Sequence, residues 1–198
     1  MNLKGSNTEK NLYKAFAGES RARNKYNLYA EKAREEGFRW VGEIFDETAL
    51  NEFAHAREVF RRYLMKVGTT EENLIEAAMG EKEEDESIYK EFERVANEEG
   101  FKEIATFFKE LREVEESHEI RFLSLAERIR TDRMFKSDTV TFWQCMNCGY
   151  IHEGFEAPMI CPLCKFKQEY FMPYCKKRVI FKEDLLCIVD FQIIKNTS

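Results

Sequence analysis

Proline is nearly missing from this sequence: Pro158, Pro162 and Pro173 are the only three of 198 residues, and all lie in the C-terminal quarter. Proline breaks a helix by removing a donor and clashing with the preceding turn, so everything before it is free to form long helices. Cysteine is absent before Cys145, which confines any disulfide framework to the end of the chain, and a reducing cytosol argues against one even there. No apolar run approaches the roughly 18 residues of a spanning helix, and MNLKGSNTEK lacks the apolar centre of a signal peptide. A cytoplasmic location and no membrane partner are the expectations. Basic excess is lacking too. With 37 acidic against 31 basic residues, a net charge of -6, the chain offers no footprint for nucleic acid, which leaves small molecules and proteins as partners. Histidine is scarce, with three residues in all, and two of them prove informative.

What is present is a helical frame. A hydrophobic content of 43% with 14% aromatic residues supports a sizeable core. Gly5, Gly37, Gly68 and Gly100 fall 32, 31 and 32 residues apart, and glycine commonly stops a helix. The spacing predicts four helices of about 30 residues, each roughly 40 to 45 Å long. SNTE at Ser6–Glu9 reads as a capping box for the first, and Thr69 or Thr70 before EEN opens the third. A repeat runs through the frame: AREEGF at Ala33–Phe38 returns as ANEEGF at Ala96–Phe101, 63 positions later, and the same offset carries Glu52 onto Glu115 and His55 onto His118. The helical region spans residues 1–133, followed by a linker at 134–141, a compositionally distinct module at 142–174 and an apolar tail at 175–198 with no functional reading.

Each helix carries an apolar stripe at spacings of three and four, and each stripe is interrupted by acid near its middle. In the first helix the interruption is Glu19; in the second, Glu52 with His55 in NEFAH; in the third, Glu81 with Glu84 or Asp85; in the fourth, Glu115 with His118 in EESH. Antiparallel helices of equal length bring their middles together. Five desolvated carboxylates repel one another at a cost of several kcal/mol each, so they need cations. A Glu from each of two helices and a Glu-x-x-His from each of the others is the ligand set of a di-iron or di-manganese four-helix bundle. Residues three apart share a helix face, which puts each carboxylate–imidazole pair on one metal pair. Tyr26 and Tyr89, seven and eight residues beyond Glu19 and Glu81, are placed to hydrogen-bond the ligand carboxylates or to serve as ordinary core residues.

The C-terminal module contains CMNC at 145–148 and CPLC at 161–164, two knuckles that make a four-thiolate site. Zinc and a single iron both accept such a site, so spacing does not choose between a structural ribbon and an electron carrier. Cys175 and Cys187 are left over as plain thiols.

The stretches LKGSNTEKNLYKAFAGES through CMNCGYIHEGFEAPMICPLC resemble the rubrerythrin family over nearly the whole length. The resemblance rests on GES with Glu19, ETALNEFAH with Glu52 and His55, GEKEEDESIY with Glu81 and Glu84, EESH with Glu115 and His118, and the knuckle cysteines Cys145, Cys148, Cys161 and Cys164. It implies an all-α, ferritin-like four-helix bundle followed by a small rubredoxin-like metal domain. It also implies a non-haem di-iron centre with Glu84 as a seventh ligand, and a peroxidase reducing hydrogen peroxide to water in oxidative-stress defence. Electrons would come through a rubredoxin-type iron, ultimately from reduced pyridine nucleotide by way of rubredoxin- or reductase-type donor proteins. A homodimer or higher homo-oligomer, and exchange of Glu84 for His55 at one iron on reduction, belong to the same expectation. A ferroxidase or iron-handling protein, or a structural bundle with a zinc ribbon, are the alternatives. Lys165 departs from the family pattern, standing after Cys164 where simple rubredoxins usually carry glycine.

Overall fold

Residues 3–174 are described by the computed structural model, so the tail with Cys175 and Cys187 lies outside the described residues. They divide into two compact units at Gly68–Thr69.

The first unit is a helical hairpin. Helix α1 (Asn7–Glu35) opens at Ser6, whose hydroxyl accepts the Glu9 backbone N–H. The expected box is half made, because Glu9 turns back to accept from the Gly5 N–H at 2.6 Å rather than from Ser6. Helix α2 (Arg39–Arg57) continues through a widened, π-helical turn at Glu58–Tyr63. The seam between them is built from small residues: Ala30, Ala33, Gly42, Ala49 and Ala56 are all buried. A β-carbon at Gly42 would meet the Ala30 carbonyl at 3.1 Å, so glycine there sets how closely the helices approach. The larger stripe residues Val41 and Ile44 stand beside this seam, 44% and 49% exposed. The second helix ends earlier than Gly68: Met65 takes the left-handed conformation (φ 50°) and Lys66 donates to the Phe60 carbonyl.

In the second unit, α3 (Thr70–Glu83), a π-helical turn (Glu84–Tyr89) and α4 (Lys90–Glu98) follow one another and pack on α5 (Lys102–Arg130). Thr69 and Glu72 form the complete capping box. The duplicated AREEGF and ANEEGF make identical stops. Gly37 and Gly100 sit at φ 84° and 86°, and Phe38 and Phe101 donate at 2.8 Å to Ala33 and Ala96, the Schellman pattern that only glycine adopts freely.

Three antiparallel strands, β1 (Lys136–Cys145), β2 (Ile151–Glu156) and β3 (Phe171–Tyr174), form a sheet in the order β2-β1-β3. Residues 136–141, read from composition as linker, are the first half of β1, where Thr141 pairs with Gly154 and Lys136 with Glu156 across an irregularity. The small core is Trp143, Cys145, Ala157, Cys161 and Phe171. The Trp143 indole donates to the Gly154 carbonyl at 3.1 Å, satisfying the one polar group that its burial would orphan.

Candidate metal centres

Three clusters of metal-binding side chains stand out among the described residues: Glu19, Glu52 and His55; Glu81, Glu115 and His118; and the four knuckle cysteines, each set with its ligand atoms within 4.8 Å of one another. In the first triad, His55 Nδ1 lies 3.3 Å from Glu52 and 3.5 Å from Glu19. Glu52 and His55 come from successive turns of one face of α2 and Glu19 from α1, as a spacing of three requires. Glu19 shares a hydrogen bond with Glu52, which, together with burial, raises its affinity for a proton, while Glu52 falls below its ordinary value as the other member of that pair.

The second triad repeats the first in a more enclosed setting. His118 Nδ1 lies 2.8 Å from Glu115 and 3.8 Å from Glu81. Burial, then the neighbouring Glu115, raises Glu81. Glu115 is the buried charged residue of the described chain. Two carboxylates converging on an imidazole with no Lys or Arg among them form a negatively charged, oxygen- and nitrogen-lined site that a hard or borderline divalent cation fits.

Glu84 stands beside this triad, close enough to act electrostatically on Glu81, and it receives a hydrogen bond from the Tyr89 hydroxyl. Burial and then that carboxylate push Tyr89 above its ordinary pKa. Residues five apart in an α-helix point about 140° away from each other, but an i→i+5 turn places the fifth nearly over the first. The π-helical turn Glu84–Tyr89 is what lets Tyr89 reach Glu84. Asp85, the other reading for this position, is engaged by Arg112, which donates from Nε to its backbone carbonyl and to its carboxylate, both at 3.0 Å, and from Nη1 to Glu93 at 3.1 Å. Arg112 thus ties the two sides of the widened turn to α5. The sequence carries no signal for it, because Arg112 stands among the charged residues Lys109, Glu110 and Glu113. Tyr26 packs on Tyr29 and Phe45 as Tyr89 does on Phe92 and Phe108, and what sets Tyr89 apart is its hydrogen bond to Glu84.

The cysteines form a cage. Cys145 and Cys164 sulfurs lie 3.7 Å apart, Cys148 and Cys161 3.6 Å apart. A tetrahedron of thiolates bound at about 2.3 Å has edges of about 3.75 Å, so the protein holds its sulfurs at the spacing such a metal requires. The backbone N–H of Phe166, opposed by burial and helped by Asn147, lowers Cys164 to about 6. The N–H of Tyr150 acts the same way on Cys148, but there burial and sharing of a proton with the other three sulfurs win and hold it up at about 12. Both knuckles turn alike. Gly149 (φ 76°) donates to Cys145 and Lys165 (φ 65°) to Cys161; the lysine adopts the left-handed conformation of the glycine it replaces and sends its Nζ to the Pro162 carbonyl at 2.9 Å.

These features define a protein with a carboxylate–histidine helical region joined to a four-thiolate domain. The family model for rubrerythrin matches residues 10–126, and that for the rubrerythrin rubredoxin-like domain matches residues 143–172. The chain is 43% identical to rubrerythrin-1 of Clostridium acetobutylicum over 185 residues, covering 85% of this chain and 95% of that one. It is 43% identical to rubrerythrin of Nitratidesulfovibrio vulgaris over 182 residues with the same coverage, and 41% identical to rubrerythrin of Porphyromonas gingivalis over 183 residues, covering 86% and 92%. The chain belongs to the rubrerythrin family. Its fold class is therefore a ferritin-like helical bundle with a rubredoxin-like domain, and its cofactor is iron, as a di-iron centre and a rubredoxin-type iron. No helix of the described residues is long and apolar enough to cross a membrane.

Proposed function

We propose that this protein is a peroxidase that reduces hydrogen peroxide to water, taking up two protons and two electrons per peroxide. Glu19, Glu52, His55, Glu81, Glu84, Glu115 and His118 hold the di-iron centre, and Cys145, Cys148, Cys161 and Cys164 hold the iron that feeds it. The observation that carries this reading is the presence, on one chain, of two matching Glu-x-x-His triads and a preformed thiolate tetrahedron. A ferroxidase has use for the first and none for the second.

Iron bound at these residues supplies an electron per ion and positive charge for the oxygens of peroxide. The protein's part is placement. Glu52–His55 and Glu115–His118 each present a carboxylate and an imidazole from one helix face, and Glu19 and Glu81 complete them with a second carboxylate. Tyr89 fixes the orientation of Glu84 through its hydroxyl, and the widened turn braced by Arg112 fixes Tyr89. Such outer partners commonly change metal affinity or activity 10- to 100-fold. Phe166 and Tyr150 donate backbone N–H groups to sulfur, which favours the thiolate form that binds iron. Electrons arrive from donor proteins of rubredoxin or reductase type, fed by reduced pyridine nucleotide, and the working unit is a homodimer or higher homo-oligomer.

The test is peroxide consumption by the anaerobically reconstituted protein with a rubredoxin-type donor, its reductase and reduced pyridine nucleotide, following nucleotide oxidation. Peroxide-dependent turnover is expected. Rapid oxidation of added ferrous ions without peroxide-dependent nucleotide oxidation would replace the peroxidase reading with iron handling.

A further inference from the structure

On the α1–α2 hairpin, a cleft of about 430 Å³ opens among Phe16 and Arg23 of α1 and Phe53, Arg57, Phe60 and Arg61 of α2 and its widened turn. Along α1 it borders the triad, with Phe16 and Arg23 one turn either side of Glu19, while along α2 it turns away from it. Phe53 and Arg57 stand about 100° and 140° round the helix from Glu52, whereas His55 stands about 60° the other way. Phe16 and Phe60 stack with ring centres 4.5 Å apart. The Arg23 guanidinium lies 4.3 Å over the Phe53 ring, and that of Arg57 5.9 Å from the same ring.

The charge here is unusual for this chain. Acidic residues outnumber basic ones, and Arg34, Arg94 and Arg112 all hold carboxylates. Arg23, Arg57 and Arg61 converge on one cleft with no carboxylate at ion-pair distance among the described residues. Gathering three guanidinium groups without an anion is unfavourable, and an anionic ligand relieves it. Its volume falls within the range of small-molecule sites. Aromatic faces and guanidinium planes stack on flat rings, and guanidinium forks match phosphate oxygens. We infer that this cleft binds an aromatic mononucleotide, its ring against Phe53, Phe16 and Phe60 and its phosphate among Arg23, Arg57 and Arg61. A flavin and a purine nucleotide share this chemistry. The site is independent of the peroxidase reading.

Calorimetric titration of the purified full-length protein with FMN, AMP and inorganic phosphate tests it. At least one nucleotide should bind saturably with a Kd below about 100 μM, and phosphate about tenfold more weakly or less. Tighter FMN assigns the flavin ring; tighter AMP assigns the purine. Arg23→Gln combined with Arg61→Gln should weaken the nucleotide about tenfold or more while leaving melting temperature and thiolate–iron absorption unchanged. Phe53→Leu, an independent arm, should weaken nucleotides and leave phosphate alone, and Lys109→Gln on α5 should change neither. Absence of saturable nucleotide binding up to about 1 mM, phosphate binding as tight as nucleotide, or equal loss in Lys109→Gln overturns the proposal.

Discussion

The two triads share one plan and differ in setting. The imidazoles differ most, the His55 side chain being 62% exposed against 36% for His118, while Glu52 is 18% exposed and Glu115 11%. In the first, a hydrogen bond between carboxyls is the chief reason that Glu19 holds a proton more tightly; in the second, burial is the chief reason for Glu81. The second triad also has Glu84, Tyr89 and the Arg112 brace, for which the first has no counterpart. Both hairpins carry a widened turn, Glu58–Tyr63 and Glu84–Tyr89, but the second turn is the one that sets a further carboxylate and a phenol beside its triad. The ligand exchange we propose would draw one partner from each side, Glu84 beside the second triad and His55 of the first.

Breaking the comparison at its strongest point means removing ligands. Glu115→Ala and Glu52→Ala should each lower peroxide turnover about 100-fold or more, since even outer partners of a metal site are worth 10- to 100-fold; steady-state rates with iron content check this. The asymmetry emerges without metal. Glu115→Gln should raise the melting temperature of the metal-free protein, because it removes a charge buried beside another carboxylate, whereas Glu52→Gln should change it less. Equal shifts would erase the distinction between the two settings.

Tyr89→Phe sharpens the comparison. About a tenfold loss of turnover is expected with iron content retained, against little change for Tyr26→Phe, whose ring packs on Tyr29 and Phe45. No loss from either would make both phenols ordinary core residues, and equal loss from both would put the two hydroxyls on the same footing.

Much of this was legible in the sequence because it depends on local rules. The stops at Gly37 and Gly100, the Thr69–Glu72 box, the Glu-x-x-His spacing and the two knuckles are each decided within six residues. What escaped depends on contacts from elsewhere in the chain. The π-helical turn at Glu84–Tyr89 is braced by Arg112, which reaches Asp85 from 27 residues away. The seam of alanines around Gly42 was hidden by a hydrophobic stripe that counts Ile44 and Ala49 alike. The first half of β1 has polar, exposed residues that read as linker until their pairing with β2 is known. Lys165 departed from the family pattern, yet it adopts the glycine conformation.

That last point gives a smaller prediction. A side chain in the left-handed region costs roughly 1–2 kcal/mol, so Lys165→Gly should stabilise the rubredoxin-like domain by about 1 kcal/mol and Gly149→Ala should destabilise it by a similar amount, read by thermal release of the thiolate-bound metal. At the small end, Thr69→Ala should cost about 1 kcal/mol as a lost helix cap. Glu72 is held below its ordinary pKa chiefly by the Thr69 backbone N–H, then by the Thr69 hydroxyl. Its contribution is therefore present above the unfolded-state pKa and lost as pH falls through the folded one. A Glu72→Gln chain should be less stable at neutral pH and match the wild type in acid, as measured by denaturant midpoints across pH.

The account stands most directly on metal content. Iron analysis with visible absorption should give about three irons per chain in the wild type, two in the bundle and one at the cysteines. It should give about one, with thiolate–iron absorption intact, when His55 and His118 are both replaced by alanine. Three irons retained in the double variant, or zinc at the cysteines of freshly isolated protein with no visible absorption, would contradict it.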